Sequence, residues 1–153
     1  MTNPLLFDSW ISYGPRPNKD PQERWALDHL LEDMDSFGIA AALVRHEQMA
    51  CYDAMHVNAR LTSEISHYRD RLVPCWTVLP HQGGDFPEPD ELMRRMDDNE
   101  VRAAFFQPGW HHYPLHEDVL KPLAEVMNPR KTLILTTLEE FGGQYDSIKD
   151  FCR

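Results

Sequence analysis

Five short apolar runs, beginning 30 to 34 residues apart, constrain this chain more than anything else in it. They are Leu5–Trp10, Ile39–Arg45, Arg71–Pro80, Val101–Pro108 and Lys131–Leu138. The run RLVPCWTVLP at Arg71–Pro80 is the clearest. It is apolar through Val73, Trp76 and Val78, follows a charged helix-like segment, and ends in the turn cluster HQGGDFPEP. A run of this kind bounded by turn residues reads as a strand buried on both faces. The recurring interval is the length of one strand–helix unit, the mark of a parallel α/β sheet.

Between the runs the helical signals are readable. Asp20-Pro21-Gln22-Glu23 has the form of a capped helix start, and Leu27, Leu30, Leu31 and Met34 follow at helical spacing up to Gly38. Ile11–Lys19, with its Gly and two Pro, reads as a loop. A second helix is expected over Ala50–Arg69, with Ala54, Val57, Leu61, Ile65 and Tyr68 facing inward, and a third opens at Pro89. Pro122 predicts a short turn over Leu115–Lys121 and a helix that begins only at the proline. Tyr145, Ile148 and Phe151 mark the start of a last helical face in Gln144–Arg153.

At 153 residues the chain is expected to be a single domain with a sizeable core. A net charge of −10 argues against nucleic acid or an anionic membrane as partner and leaves a small molecule as the expected ligand. No apolar run is long enough to span a bilayer and no secretion signal is recognisable. The scattered Cys51, Cys75 and Cys152 form neither a disulfide framework nor a zinc pattern, which suits a reducing, cytoplasmic setting.

Two architectures accommodate five such units: a complete doubly wound sheet of the flavodoxin-like kind, or the first five units of an eight-unit barrel. The segment after the first run, FDSWISYGPRP, has no glycine-rich phosphate loop, which makes a nucleotide site an unlikely use of the first architecture.

Four stretches then bring a family into view. Leu6-Phe7-Asp8 with Gly14, Leu31-Glu32-Asp33-Met34-Asp35-Ser36-Phe37-Gly38-Ile39 leading into Ala42-Leu43-Val44, Arg71-Leu72-Val73-Pro74-Cys75-Trp76, and Val101-Arg102-Ala103 together resemble the amidohydrolase-related family of metal-dependent hydrolases. The resemblance implies a (β/α)₈ barrel of which this chain is the amino-terminal five-eighths. It implies a hydrolase, or a decarboxylase-like relative, acting on a small carbonyl or carboxylate substrate at the carboxyl ends of the strands. A divalent metal such as zinc belongs to the same implication. Yet the two first-strand positions that carry metal-binding histidines in the family are here Trp10 and Ser12. An indole is no zinc ligand and a neutral hydroxyl is a poor one, so no metal site is expected from this chain itself.

What remains at the strand ends is a ring of polar groups. His46 and Glu47 follow the second run, His81 the third, Gln107, His111 and His112 the fourth, and Thr137 with Glu139 the fifth. In a barrel these would converge on one mouth and supply acid–base chemistry. His46, His81 and Glu139 are the candidate catalytic groups, and Asp8, Gln107 and His111 the candidate substrate contacts. Several of these, His111 and His112 above all, have an equally simple reading as solvated loop residues, and Cys75 reads as an inert buried thiol. Two functions follow: a hydrolase, or a non-catalytic binding or structural relative that kept the fold and lost the metal. An open half of a barrel also exposes strand edges, which predicts a second copy or further strands as a partner.

Overall fold

The computed structural model describes residues 5–16, 20 and 22–141. Its five strands are β1 (Leu6–Tyr13), β2 (Ile39–His46), β3 (Leu72–Thr77), β4 (Ala103–Phe105) and β5 (Leu133–Leu135). The helices between them are α1 (Leu27–Phe37), α2 (Ala54–Glu64), α3 (Pro89–Asp98), a single turn α4 (Pro108–His111) and α5 (Glu117–Met127). Strand order is β1-β2-β3-β4-β5, so the flavodoxin-like alternative, which needs β1 between β2 and β3, is excluded. Each of the five apolar runs holds one strand. None of the helices among the described residues is long and apolar enough to cross a membrane.

By its contacts the chain divides inside β3 into two compact units, Met1–Cys75 and Trp76–Arg153. In the first unit β1, β2 and the start of β3 are parallel, with Ser12 beside Arg45, Tyr13 beside His46 and Val44 beside Pro74. Ala42, Val44 and Leu72 are buried, as are Leu30 and Met34 of α1 and Val57 and Leu61 of α2. The helices pack their apolar stripes on β2, the ordinary means by which a strand loses water on its helix side. In the second unit Ala103 pairs with Leu133 and Phe105 with Leu135, and the Val78 amide donates to the Phe105 carbonyl at 3.0 Å. Leu92, Met93 and Met96 of α3 and Leu123 and Met127 of α5 are buried there.

Several local expectations are corrected. β1 does not end at Trp10 but continues to Tyr13, because β2 offers it partners as far as His46. The Asp20 carboxylate and carbonyl accept from the Gln22 and Glu23 amides, which makes a turn rather than a helix start. The chain then stays extended because the Trp25 carbonyl accepts from the Gly14 amide at 2.7 Å, and α1 begins only at Leu27. The helix expected over Ala50–Arg69 is two pieces, α2 capped by the Asp53 carboxylate on the His56 amide and a 3₁₀ turn at Ser66–Tyr68, with a separate 3₁₀ turn at Glu47–Ala50 ahead of them. α5 starts at Glu117, ahead of Pro122. His116 caps it, and a proline so near the start removes a single carbonyl partner while Leu123 and Met127 gain full burial. The helix expected in Gln144–Arg153 lies outside the described residues.

Candidate functional site

The carboxyl ends of β1 and β2 form the best-defined polar cluster in the first unit, and its two sides have different chemistry. Successive side chains of a strand point to opposite faces. The Tyr13 hydroxyl donates to the Glu64 carboxylate of α2 at 2.7 Å, so Tyr13 and its register partner His46 lie on the helix side. Ser12 and its partner Arg45 therefore point the other way.

On the helix side, His46 is sealed. It is 2% exposed, and its Nδ1 accepts from the Gln48 amide at 3.2 Å, which places the proton of the neutral ring on Nε2. That Nε2 lies 4.0 Å from the nearest Glu64 oxygen. Tyr13 stands edge-on to the imidazole at 5.1 Å between centroids, and the Gly14 backbone closes over it. Arg60 of α2 binds Glu64 at 2.7 Å and Gln48 at 2.9 Å. Burial lowers the pKa of His46, helped by the charge of Arg60 and opposed by Glu64 and Glu47. Burial also raises the Tyr13 phenol, as do its hydrogen bond to Glu64 and the charge there. For Glu64 burial pulls upward, but the hydrogen bonds from Arg60 and Tyr13 and the charge of Arg60 outweigh it and hold the carboxyl below its usual range. His46 is thus a buried ring, disfavoured as a cation, packed at the end of β2.

On the opposite side, the Arg45 guanidinium lies over the Trp10 indole, 4.2 Å from its centroid. The Ser12 hydroxyl donates a hydrogen bond to the Glu47 carboxylate. Arg16 reaches the other Glu47 oxygen at 3.7 Å and Glu23 at 3.3 Å. Burial lowers the Arg45 pKa, against the charge of Glu47 and the nearby Cys75. Burial likewise pushes the Cys75 thiol up to about 12, so it is an inert thiol as the sequence suggests. Asp8 does not reach this cluster: its carboxylate accepts from the Trp10 amide at 2.8 Å and fixes an irregularity in β1.

The second unit holds the remaining candidates. His81 opens a 3₁₀ turn after β3, with Nε2 3.3 Å from the Glu88 carboxylate and Nδ1 buried without a hydrogen-bond partner. Gln107 is buried at the end of β4, and its side-chain oxygen has no partner. The fifth strand leads into a 3₁₀ turn, Leu138–Phe141, which turns Glu139 outward. It is Glu140 that reaches back, accepting from the Gly109 amide of α4 at 2.6 Å. His111 is half-buried on α4. Burial, and then the Glu140 charge, raise the Tyr113 phenol, against the influence of the Gln107 backbone, although the hydroxyl makes no hydrogen bond. Tyr113 thus lies near both Gln107 and Glu140, while Glu139 is exposed.

Sequence reasoning passed over Arg45, Glu64 and Glu140. Arg45 was separable from His46 by strand parity alone. Glu64 is a lone carboxylate within a helix and carries no motif, and nothing local tells Glu140 from Glu139.

No family model matches this sequence, and no curated protein does. In fold the chain is similar to the crystal structure of an uncharacterised TIM-barrel protein, Bb4693 from Bordetella bronchiseptica, with a TM-score of 0.56 and 16% identity. The likeness covers 82% of this chain and 48% of that one. Its fold is of the TIM-barrel type. The chain spans about half the length of that neighbour.

A divalent metal of the amidohydrolase kind does not fit the residues present. Trp10 offers it no lone pair, the Ser12 hydroxyl is committed to Glu47, and the Arg45 cation occupies the same face. Among the described residues no three His, Cys, Asp or Glu side chains converge in a way that could hold an ion. Elemental analysis of the purified protein is expected to find no tightly held zinc. About one zinc per chain, lost on His46→Ala or His81→Ala, would contradict this account of the strand ends.

Proposed function

We propose that this chain binds a small carbonyl or carboxylate compound at the carboxyl ends of β1 and β2, without a metal-activated water. The observation that carries the reading is the exchange of chemistry on one strand face. Where the amidohydrolase-related resemblance leads one to expect two metal-binding histidines, Trp10 stacks under Arg45 and Ser12 bonds to Glu47. In TIM-barrel folds ligands are met at this end of the strands. The fold alone does not decide the chemistry, so the argument rests on these side chains. The test is ligand-observed NMR with a panel of two- to eight-carbon acids, esters, amides and ketones. At least one class should bind, and binding should weaken in Trp10→Ala. A panel with no binder removes the proposal.

A second reading, a hydrolase of C–O or C–N bonds, is favoured by the Ser12–Glu47 hydrogen bond. There the Glu47 carboxylate would take the Ser12 proton as the hydroxyl oxygen attacks a carbonyl carbon. It would return that proton to the alcohol or amine that leaves as the C–O or C–N bond breaks, and then take a proton from the water that releases the acid from the acylated serine. Turnover of an activated ester such as p-nitrophenyl acetate, lost in both Ser12→Ala and Glu47→Gln, would establish it. Equal rates in wild type and both variants would remove it.

A further inference from the structure

Among the described residues β1 stands last in the strand order, so its outer edge has no strand beside it. That edge is open only in part. The Asp8 carboxylate takes the Trp10 amide, and a register shift follows before Ile11, features that blunt an edge against pairing. Ahead of them Leu5, Leu6 and Phe7 are 87%, 49% and 58% exposed. Phe37, 74% exposed, closes α1 two residues before Ile39, the register partner of Leu6. Four large apolar residues thus stand in water at one end of the first unit, at the opposite end of β1 from Ser12. At about 200 Å² for a large apolar residue, their uncovered area is roughly 500 Å². Single apolar residues scattered over a surface are ordinary, but a patch of this size beside an open strand edge marks a contact surface.

We infer that a second copy of this chain docks here, β1 against β1 and antiparallel about a two-fold axis. Two such faces bury roughly 1,000 Å² between them, the lower limit for a specific interface, and pairing of the open edges adds main-chain hydrogen bonds. The dimer is accordingly weak. Charge permits the contact although each copy carries −10. Residues 5–7 have no ionisable side chain, Asp8 is turned back on its own strand, and Asp35 in α1 is held by Arg71 at 2.7 Å. A two-fold contact asks only that the face complement itself, which an uncharged apolar strand does. The inference is independent of the binding reading, since the ligand is placed at the other end of β1.

Sedimentation equilibrium of the 153-residue chain, from about 1 to about 100 µM, separates a dimer from a face that awaits a further strand of a barrel. A dimer with a dissociation constant of about 10 µM is expected. Phe7→Lys and Phe37→Lys should each weaken it at least about tenfold, by setting a charge in the apolar contact. Both substitutions reduce the net negative charge, so a loss of association cannot come from general repulsion. Both positions are exposed, so the melting temperature of the dilute protein should stay as in wild type. Hydrogen exchange gives a second reading that needs no variant: as wild-type protein is concentrated, protection should rise over residues 5–8 and around Phe37. A monomer throughout the range overturns the inference. So does a dimer that withstands either folded variant, or one whose added protection falls elsewhere. Growth into larger species overturns it too, because a two-fold contact closes on itself.

Discussion

Replacing Gly14 by alanine is expected to cost about 3 kcal/mol of folding stability, from strain at a left-handed residue and overpacking against its neighbour. Gly14 has φ +104°, in the region that side-chain-bearing residues rarely adopt. A Cβ built there would lie 2.6 Å from His46 Cε1 and 2.7 Å from Nε2. The ring cannot swing away, because its Nδ1 is held by the Gln48 amide and Tyr13 stands edge-on to it. The Gly14 amide is itself tied to the Trp25 carbonyl. Backbone and ring are therefore both fixed at the point of collision. Urea unfolding of wild type and Gly14→Ala is the measurement. A difference below about 0.5 kcal/mol, within the range of ordinary surface substitutions, would mean that the loop after β1 is not held against His46 as described.

The second large effect is expected at Glu64. Changing it to leucine removes the acceptor of a buried phenol and the partner of Arg60 at once. An orphaned Tyr13 hydroxyl alone should cost about 2 kcal/mol. Tyr13→Phe in the Glu64→Leu background should then recover part of the loss, since both partners are now apolar. The same variant tests the pH dependence. His46 and Glu64 both have native pKa values below their ordinary 6.5 and 4.5. In each case the unfolded chain takes up a proton more readily than the native one. Their stabilising contribution is therefore complete above the ordinary value and is lost as pH falls toward the native one. Wild-type stability should decline below about pH 6.5 as the unfolded chain protonates at His46, and decline further below about pH 4.5 through Glu64. Glu64→Leu should keep the first decline and flatten the second. An unchanged slope below pH 4.5 in the variant would show that other carboxylates govern the acid limb.

The strand–helix rhythm was legible because it depends on gross periodicity. Runs such as IAAALVR and RLVPCWTVLP form strands whatever the details of their neighbours. Boundaries failed where a tertiary contact overrode a local signal. The Asp20–Glu23 box is a sound helix start, but the bond between Gly14 and Trp25 keeps the chain extended past it. Pro122 is a sound helix breaker, but the burial of Leu123 and Met127 outweighs one missing hydrogen bond. The candidate site was harder to read. His46 and Arg45 are adjacent and both follow a strand, and imidazole is the more familiar catalytic group. Their faces are decided by α2, whose Glu64 and Arg60 claim the side that His46 occupies. In the same way Glu139 and Glu140 differ only by a 3₁₀ turn whose direction no local pattern announces.

The pairing of β1 with β2 shifts between Leu6 and Phe7 and again between Asp8 and Ile11, where β1 spends three steps against two on its partner. Such a bulge exchanges the faces of everything that follows it. Up to Asp8 the alternation of β1 would send Ser12 toward α2 and Tyr13 away from it, and the extra residue reverses both. Losing one of Ser9 or Trp10 would match two steps to two and leave Ser12 beside Arg45 and Tyr13 beside His46, so the faces would survive and only the bulge would go. The extra residue is thus absorbed locally: the strand carries one residue more than its partner there and still delivers every later side chain to the side its partner dictates.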